Sequence, residues 1–135
     1  MESKSENSLT FLSKILVAED ELINRTLLLS ICKAFEIECD IVSDGLQAYH
    51  KFTTNTYSAL LLDIEMPVMN GLEALEKIRL YESEHGGHIP VIAVTSHSDK
   101  ASREVYFKSG FDDYLSKPFK PFELAAILKK LKVIL

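Results

Sequence analysis

The sequence predicts a doubly wound α/β domain, a five-stranded parallel sheet with helices on both faces. Two observations carry that expectation. The short apolar runs Ile15-Leu16-Val17-Ala18, Ala59-Leu60-Leu61-Leu62 and Val91-Ile92-Ala93-Val94 do not alternate with polar residues, as befits strands buried on both faces. Between and after them lie segments with apolar residues at helical spacing. Alternation of strand and helix five times over implies a parallel sheet covered by helices. At 135 residues, with 47% apolar and 26% charged, the chain has the size and composition of one globular domain. Disordered, collagen-like and disulfide-scaffold classes are excluded.

Taken in order, residues 1–13 read as a polar N-terminal tail, beginning MESKSENS, ahead of a domain at 14–135. The tail lacks the apolar stretch of a signal peptide, and no run approaches the ~20 residues of a membrane span. A cytoplasmic protein with no membrane insertion is expected. After the first strand, Leu27, Leu28, Ile31 and Phe35 recur as the core stripe of a helix over about 22–35. Cys39-Asp40-Ile41-Val42 is mixed enough for an edge strand. Asp44 with Gln47 resembles a capping box opening a helix through about residue 52, and Asn70 with Glu73 repeats the signature before Leu72, Leu75 and Ile78. Ser98-Asp99 opens a helix that ends at Gly110, where glycine suits a left-handed terminus. Asp113-Tyr114-Leu115 is the last strand. Pro121 suits the first turn of a final helix with the stripe Leu124, Leu128, Leu131 and Leu135.

Charge and cysteine content narrow the function. Twenty acidic against fifteen basic residues give a net charge of −5, which argues against direct nucleic-acid binding, a task that needs a basic patch. Cys32 and Cys39 sit among apolar residues and read as buried reduced thiols. His85 and His88 flank Gly86-Gly87 without the carboxylate or cysteine spacing of a metal site, and read as a solvated loop. Lys129, Lys130 and Lys132 read as the wet side of the last helix and its dipole-favoured end.

In a parallel sheet the loops after the strands emerge on one edge, where open α/β sheets bind ligands. Here the first strand closes in Glu19-Asp20, the third in Asp63, the fourth in Thr95-Ser96, and the fifth runs into Lys117-Pro118. Three carboxylates held together repel one another and call for a cation; hard oxygen ligands with room for phosphate oxygens favour Mg²⁺. A lysine supplies a point charge for a phosphoryl group, and the Thr95 hydroxyl can donate to another of its oxygens. Singly, Asp20 or Lys117 would be read as a cap or a solvated charge. Carboxylates, hydroxyl and lysine at four strand ends read instead as a phosphoryl site.

The segments E-D at 19–20, L-L-L-D-I-E-M-P-V-M-N-G-L-E from Leu60, A-V-T-S at 93–96 and D-Y-L-S-K-P-F at 113–119 resemble the receiver domain of two-component response regulators. The resemblance covers about 14–135. It implies a flavodoxin-like strand order 2-1-3-4-5 and a phosphoacceptor at Asp63, supplied by a phosphohistidine on a sensor histidine kinase or histidine phosphotransfer protein. Mg²⁺ would be held directly by Asp20, Asp63 and the backbone carbonyl of Glu65, and through a water by Glu19. Lys117 would pair with phosphoryl oxygens, its peptide bond to Pro118 being commonly cis in the family, and Met66-Pro67 with Gly71 match the turn after the acceptor. Thr95 and Tyr114 would form the switch pair, with a downstream target at the fourth helix, fifth strand and fifth helix, and the resemblance also allows a phosphorylation-dependent homodimer. Glu65 and His97, each two residues beyond a site residue, would flank the path of the hydrolytic water. Such a domain is a signalling phosphoacceptor that promotes its own phosphorylation and dephosphorylation rather than an enzyme.

The run E-D-E-L-I-N-R at 19–25 further resembles receivers of hybrid kinases and phosphorelays, which places partner docking at Ile23 and Asn24 beside Pro67 and Pro118. Two departures from the family are Glu19, where aspartate is more usual, and Ser96, often alanine; neither removes a required group. An aspartyl phosphatase of the haloacid dehalogenase type would need D-x-D after the first strand and room for a cap domain. A flavodoxin would need a first loop that cradles phosphate, whereas Glu19, Asp20 and Glu21 would repel it. A degenerate receiver serving only as an interaction module is disfavoured because the acidic and basic positions are all retained.

Overall fold

Five strands, β1 (Lys14–Ala18), β2 (Glu38–Val42), β3 (Ala59–Asp63), β4 (Val91–Thr95) and β5 (Asp113–Ser116), lie in the order β2-β1-β3-β4-β5. All four pairings are parallel. The structure, a computed structural model, describes residues 13–134. The tail expected at 1–13, apart from Ser13, and Leu135 at the end of the last helical stripe lie outside the described residues. The connecting helices are α1 (Leu22–Ala34), α2 (Gly45–Thr54), α3 (Gly71–His85), α4 (Lys100–Ser109) and α5 (Pro121–Lys130).

The continuous apolar runs make sense once both faces are covered. Ile15, Val17, Leu61, Ile92 and Val94 point to one face and pack with Leu28, Ile31, Leu124 and Leu128 of α1 and α5. Leu16, Leu60, Leu62 and Ala93 point to the other and pack with Ala48, Leu75, Ile78 and Tyr106 of α2, α3 and α4. Burying each Leu or Ile stabilises the fold by roughly 1.5–3 kcal/mol, so β3 and β4, buried at every residue, anchor the sheet. The mixed strand β2 sits at its edge, as its polar content predicts.

The helix ends follow their chemistry. Asn70 and Glu73 form the expected reciprocal capping box on α3. Asp44 accepts the Gln47 N–H, but the Gln47 side chain accepts from Ser43 N–H rather than closing the box on Asp44. Gly110 ends α4 in the left-handed conformation, and Pro121 opens α5. One expectation is corrected. The inner stripe of α1 is Leu28, Ile31 and Cys32, whereas Leu27 is 37% and Phe35 40% exposed. In the run Leu27-Leu28-Leu29 periodicity offers two neighbouring faces, and packing on the sheet selects the one that also buries Cys32. Both cysteines are free, Cys32 buried and Cys39 half-buried. His88 is held by Asp112 at 2.7 Å, and His85 stacks on Tyr81.

Two glycines let the loop after β3 close against the helices. Gly45 donates its N–H to the Met69 carbonyl at 2.8 Å and Gly71 to the Ile64 carbonyl at 3.1 Å. A Cβ on Gly71 would run into the Asp63 carbonyl oxygen, and one on Gly45 into the Met69 carbonyl oxygen. Gly71→Ala should therefore lower stability in urea by about 1–3 kcal/mol, the range for overpacking a closed site. An unchanged unfolding midpoint would contradict this close approach.

Candidate functional site

The parallel register brings the polar strand ends to one rim. Ala18 pairs with Leu62, Asp63 with Val94 and Thr95 with Ser116. The residues one step further along β1, β3 and β5 therefore share an edge, and the Lys117 N–H donates to the Thr95 carbonyl at 2.8 Å. They surround a cleft of about 230 Å³ lined by Asp20, Asp63, Glu65, Thr95, Ser96 and Lys117. The peptide bond from Lys117 to Pro118 is cis.

The buried carboxylates organise around one lysine. Lys117 Nζ lies 2.8 Å from Asp63 Oδ2, 3.1 Å from Glu19 Oε1 and 3.9 Å from Glu21 Oε1. The other Asp63 oxygen accepts the Glu65 N–H at 3.0 Å. Burial alone would lower the Lys117 pKa, but the Asp63 hydrogen bond and the charges of Asp63 and Glu19 outweigh it and hold it above the usual lysine value. Glu19 is 1% exposed. Burial holds its carboxyl above the usual range, reinforced by the Asp63 charge and opposed by the Glu21 N–H and Lys117.

The donor set fits a hard divalent cation. Glu19, Asp20 and Asp63 each offer an oxygen within 4.8 Å of the others. Two like charges 4.8 Å apart repel by about 3.5 kcal/mol at an effective dielectric near 20, and one lysine cannot neutralise three. The Glu19 Oε1 atom, although 3.1 Å from the ammonium, makes no hydrogen bond within the protein. A buried carboxylate oxygen whose one ion-pair contact falls outside hydrogen-bond geometry, beside two further carboxylates, is the arrangement that Mg²⁺ with its waters satisfies.

Other expected residues occupy distinct positions. Thr95 is buried at the cleft, and its Oγ1 accepts the His97 N–H at 2.9 Å. Its hydroxyl neighbour is Tyr106 of α4 at 2.8 Å. Tyr114 is half-buried, edge-on to Phe107, with Arg103 Nη1 3.4 Å from its hydroxyl. Glu65 and His97 meet across the cleft mouth, Oε1 to Nε2 at 2.9 Å. Ile23 is 83% exposed at the start of α1. Asn24 beside it is half-buried and bonds Glu21, and Pro67 and Pro118 are exposed. Sequence reasoning missed Tyr106, because an aromatic on the inner side of a helix reads as core packing, and nothing in the spacing marks its hydroxyl.

Comparison with known proteins agrees with this geometry. Residues 15–129 match the response regulator receiver domain. The chain is 42% identical over 113 residues to hybrid signal transduction histidine kinase I of Dictyostelium discoideum, covering 80% of this chain and 6% of that protein. It is 30% identical over 118 residues to the sensor histidine kinase GacS of Pseudomonas protegens, covering 87% and 13%. The chain thus spans a small part of these curated relatives. Among solved structures, the receiver domain of a Pseudomonas aeruginosa sensor histidine kinase, with a magnesium ion coordinated in its active site cleft, superposes with a TM-score of 0.80 at 34% identity, covering 88% of this chain and 96% of that one. A Saccharomyces cerevisiae receiver domain, crystallised with the histidine phosphotransfer protein upstream of it, gives 0.79 at 26% identity over 89% and 86%. With its sheet order, its acidic cleft and a match over nearly its whole length, the chain belongs to the response regulator receiver domain family.

Proposed function

We propose that this domain is a cytoplasmic phosphoacceptor switch in which Asp63 takes a phosphoryl group from a phosphohistidine donor. The observation that carries this reading is the setting of Asp63, buried at the floor of the cleft with one oxygen on the Glu65 N–H and the other on Lys117. Carboxylate attack on phosphorus forms the acyl phosphate as the bond to the histidine nitrogen breaks. Lys117 is then in place to move from Asp63 to the transferred oxygens, and the Thr95 hydroxyl to donate to another. Asp20, Asp63 and the Glu65 carbonyl would hold Mg²⁺, with Glu19 behind a water. The chemistry that Mg²⁺ supplies when bound is to offset charge on the phosphoryl oxygens.

The contact between Glu65 and His97 at the mouth supports a role for both in orienting the water that later hydrolyses the acyl phosphate. The exposed Ile23, with Asn24, Pro67 and Pro118 around the rim, supports docking of a sensor histidine kinase or histidine phosphotransfer protein there. An apolar contact gives such a surface affinity, and polar neighbours choose the partner. Phe107 and Tyr114, with Lys100 and Arg103, line an open groove between α4 and β5. That groove supports a downstream target, or a second phosphorylated copy, on the α4-β5-α5 face. Among the described residues no helix is long and apolar enough to cross a membrane.

Two experiments test the reading. Asp20→Asn should weaken Mg²⁺ binding measured by calorimetry roughly tenfold, about 1.4 kcal/mol. It should also raise the metal-free melting temperature by about 2–4 °C, as relief of like-charge repulsion requires. Unchanged affinity would remove Asp20 from the metal site. In phosphotransfer assays, Asp63→Asn should abolish uptake from both acetyl phosphate and a phosphohistidine protein. Ile23→Ala should slow only the protein donor, by about fivefold for a contact worth ~1 kcal/mol, with thermal stability nearly unchanged. Equal labelling of Asp63→Asn and the parent would overturn the assignment.

A further inference from the structure

Tyr106 is the buried residue of α4, 4% exposed, with its ring edge-on to Phe111. Its hydroxyl reaches past the apolar face to a residue that lines the cleft, Thr95. It lies 2.8 Å from Thr95 Oγ1 and donates to the His97 carbonyl at 2.9 Å. Thr95 Oγ1 in turn accepts the His97 N–H at 2.9 Å and lies 3.2 Å from the same carbonyl. Each hydroxyl has one proton. With the Tyr106 proton on the His97 carbonyl, the shorter remaining contact for the Thr95 proton is the Tyr106 oxygen. Thr95 thus spends its single proton on a group anchored in α4, although its side chain borders the cleft.

We propose that Tyr106 is a positioning residue that holds the Thr95 hydroxyl toward α4, and that loss of this bond on phosphorylation releases α4. The proposal rests on the phosphoacceptor reading of Asp63. A phosphoryl oxygen in the cleft is a charged acceptor and competes better for the Thr95 proton than a neutral phenol does. No proton leaves Thr95; only its acceptor changes. Tyr106 keeps the His97 carbonyl but loses a donor to its own buried oxygen, an arrangement that buried polar groups avoid. The ring, and the helix carrying it, then favours another position. The connection runs straight from β4 to α4 and does not require Tyr114, whose hydroxyl faces Arg103.

The test compares backbone amide NMR shifts along α4 before and after acetyl phosphate with Mg²⁺, in the parent, Tyr106→Phe, Thr95→Val and the double variant. Intact mass gives the phosphorylated fraction in each. Tyr106→Phe retains the ring that packs on Phe111 and removes only the hydroxyl. It should still be phosphorylated, with the α4 shift change cut to less than half of the parent's. Thr95→Val should show the same loss from the other side of the bond, and the double variant no further loss, as expected of two groups acting as one unit. A full α4 response in phosphorylated Tyr106→Phe, or in Thr95→Val, would overturn the proposal, as would additive losses in the double variant. A parent that takes up no phosphate would remove the phosphoacceptor reading, and this proposal with it. Uptake with equal α4 shifts would remove the Tyr106 connection alone.

Discussion

The rest of this structure depends on an electrostatic imbalance that the fold creates and one side chain only partly offsets. Parallel strands deliver Glu19, Asp20 and Asp63 to one rim, with an oxygen of each within 4.8 Å, and the Lys117 ammonium is drawn in against two of them. In water these charges would separate at little cost. Burial of Glu19 and Asp63 at the sheet edge, with the exposed Asp20 beside them, makes their repulsion and the attraction to the ammonium both matter. The site is thereby poised to accept positive charge, and to lose its lysine to any better anion that arrives. Binding a metal and taking up a phosphoryl group are two responses to the same strain in charge.

In the proposed switch, hydrogen bonds at the sheet edge would turn that imbalance into a signal. Lys117 and Thr95 are linked along the backbone, and Thr95 is linked to α4 through Tyr106. A group attached to Asp63 is therefore three contacts from α4, through Lys117, Thr95 and Tyr106. β3 and β4 are buried throughout, so they cannot deform gradually. The proposed response would therefore fall to groups with alternative partners, the lysine, the threonine and the helix packed over them.

Much of this was legible in the sequence. Buried strands announce themselves as unbroken apolar runs, and strand order with the polar strand ends followed from the family resemblance and the α/β rule together. The α1 stripe was misread at Leu27 and Phe35 because three consecutive leucines satisfy two helical faces, and only packing against the sheet decides between them. The Glu19 oxygen left without a hydrogen bond and the Glu65–His97 contact were not legible, since both depend on where loops turn. Tyr106 carried no signal at all. Its ring obeys the amphipathic pattern of its helix, and its hydroxyl matters only because His97 and Thr95 meet it in three dimensions.

The most direct test of the charge-organised acceptor is the position of its covalent label. The full chain would be treated with acetyl phosphate and Mg²⁺, reduced with borohydride to convert any acyl phosphate to its alcohol, and mapped peptide by peptide by mass spectrometry. The phosphoacceptor assignment predicts homoserine at residue 63 alone, suppressed when EDTA removes the metal. Conversion at Glu19 or Asp20, or at no carboxylate, would contradict it.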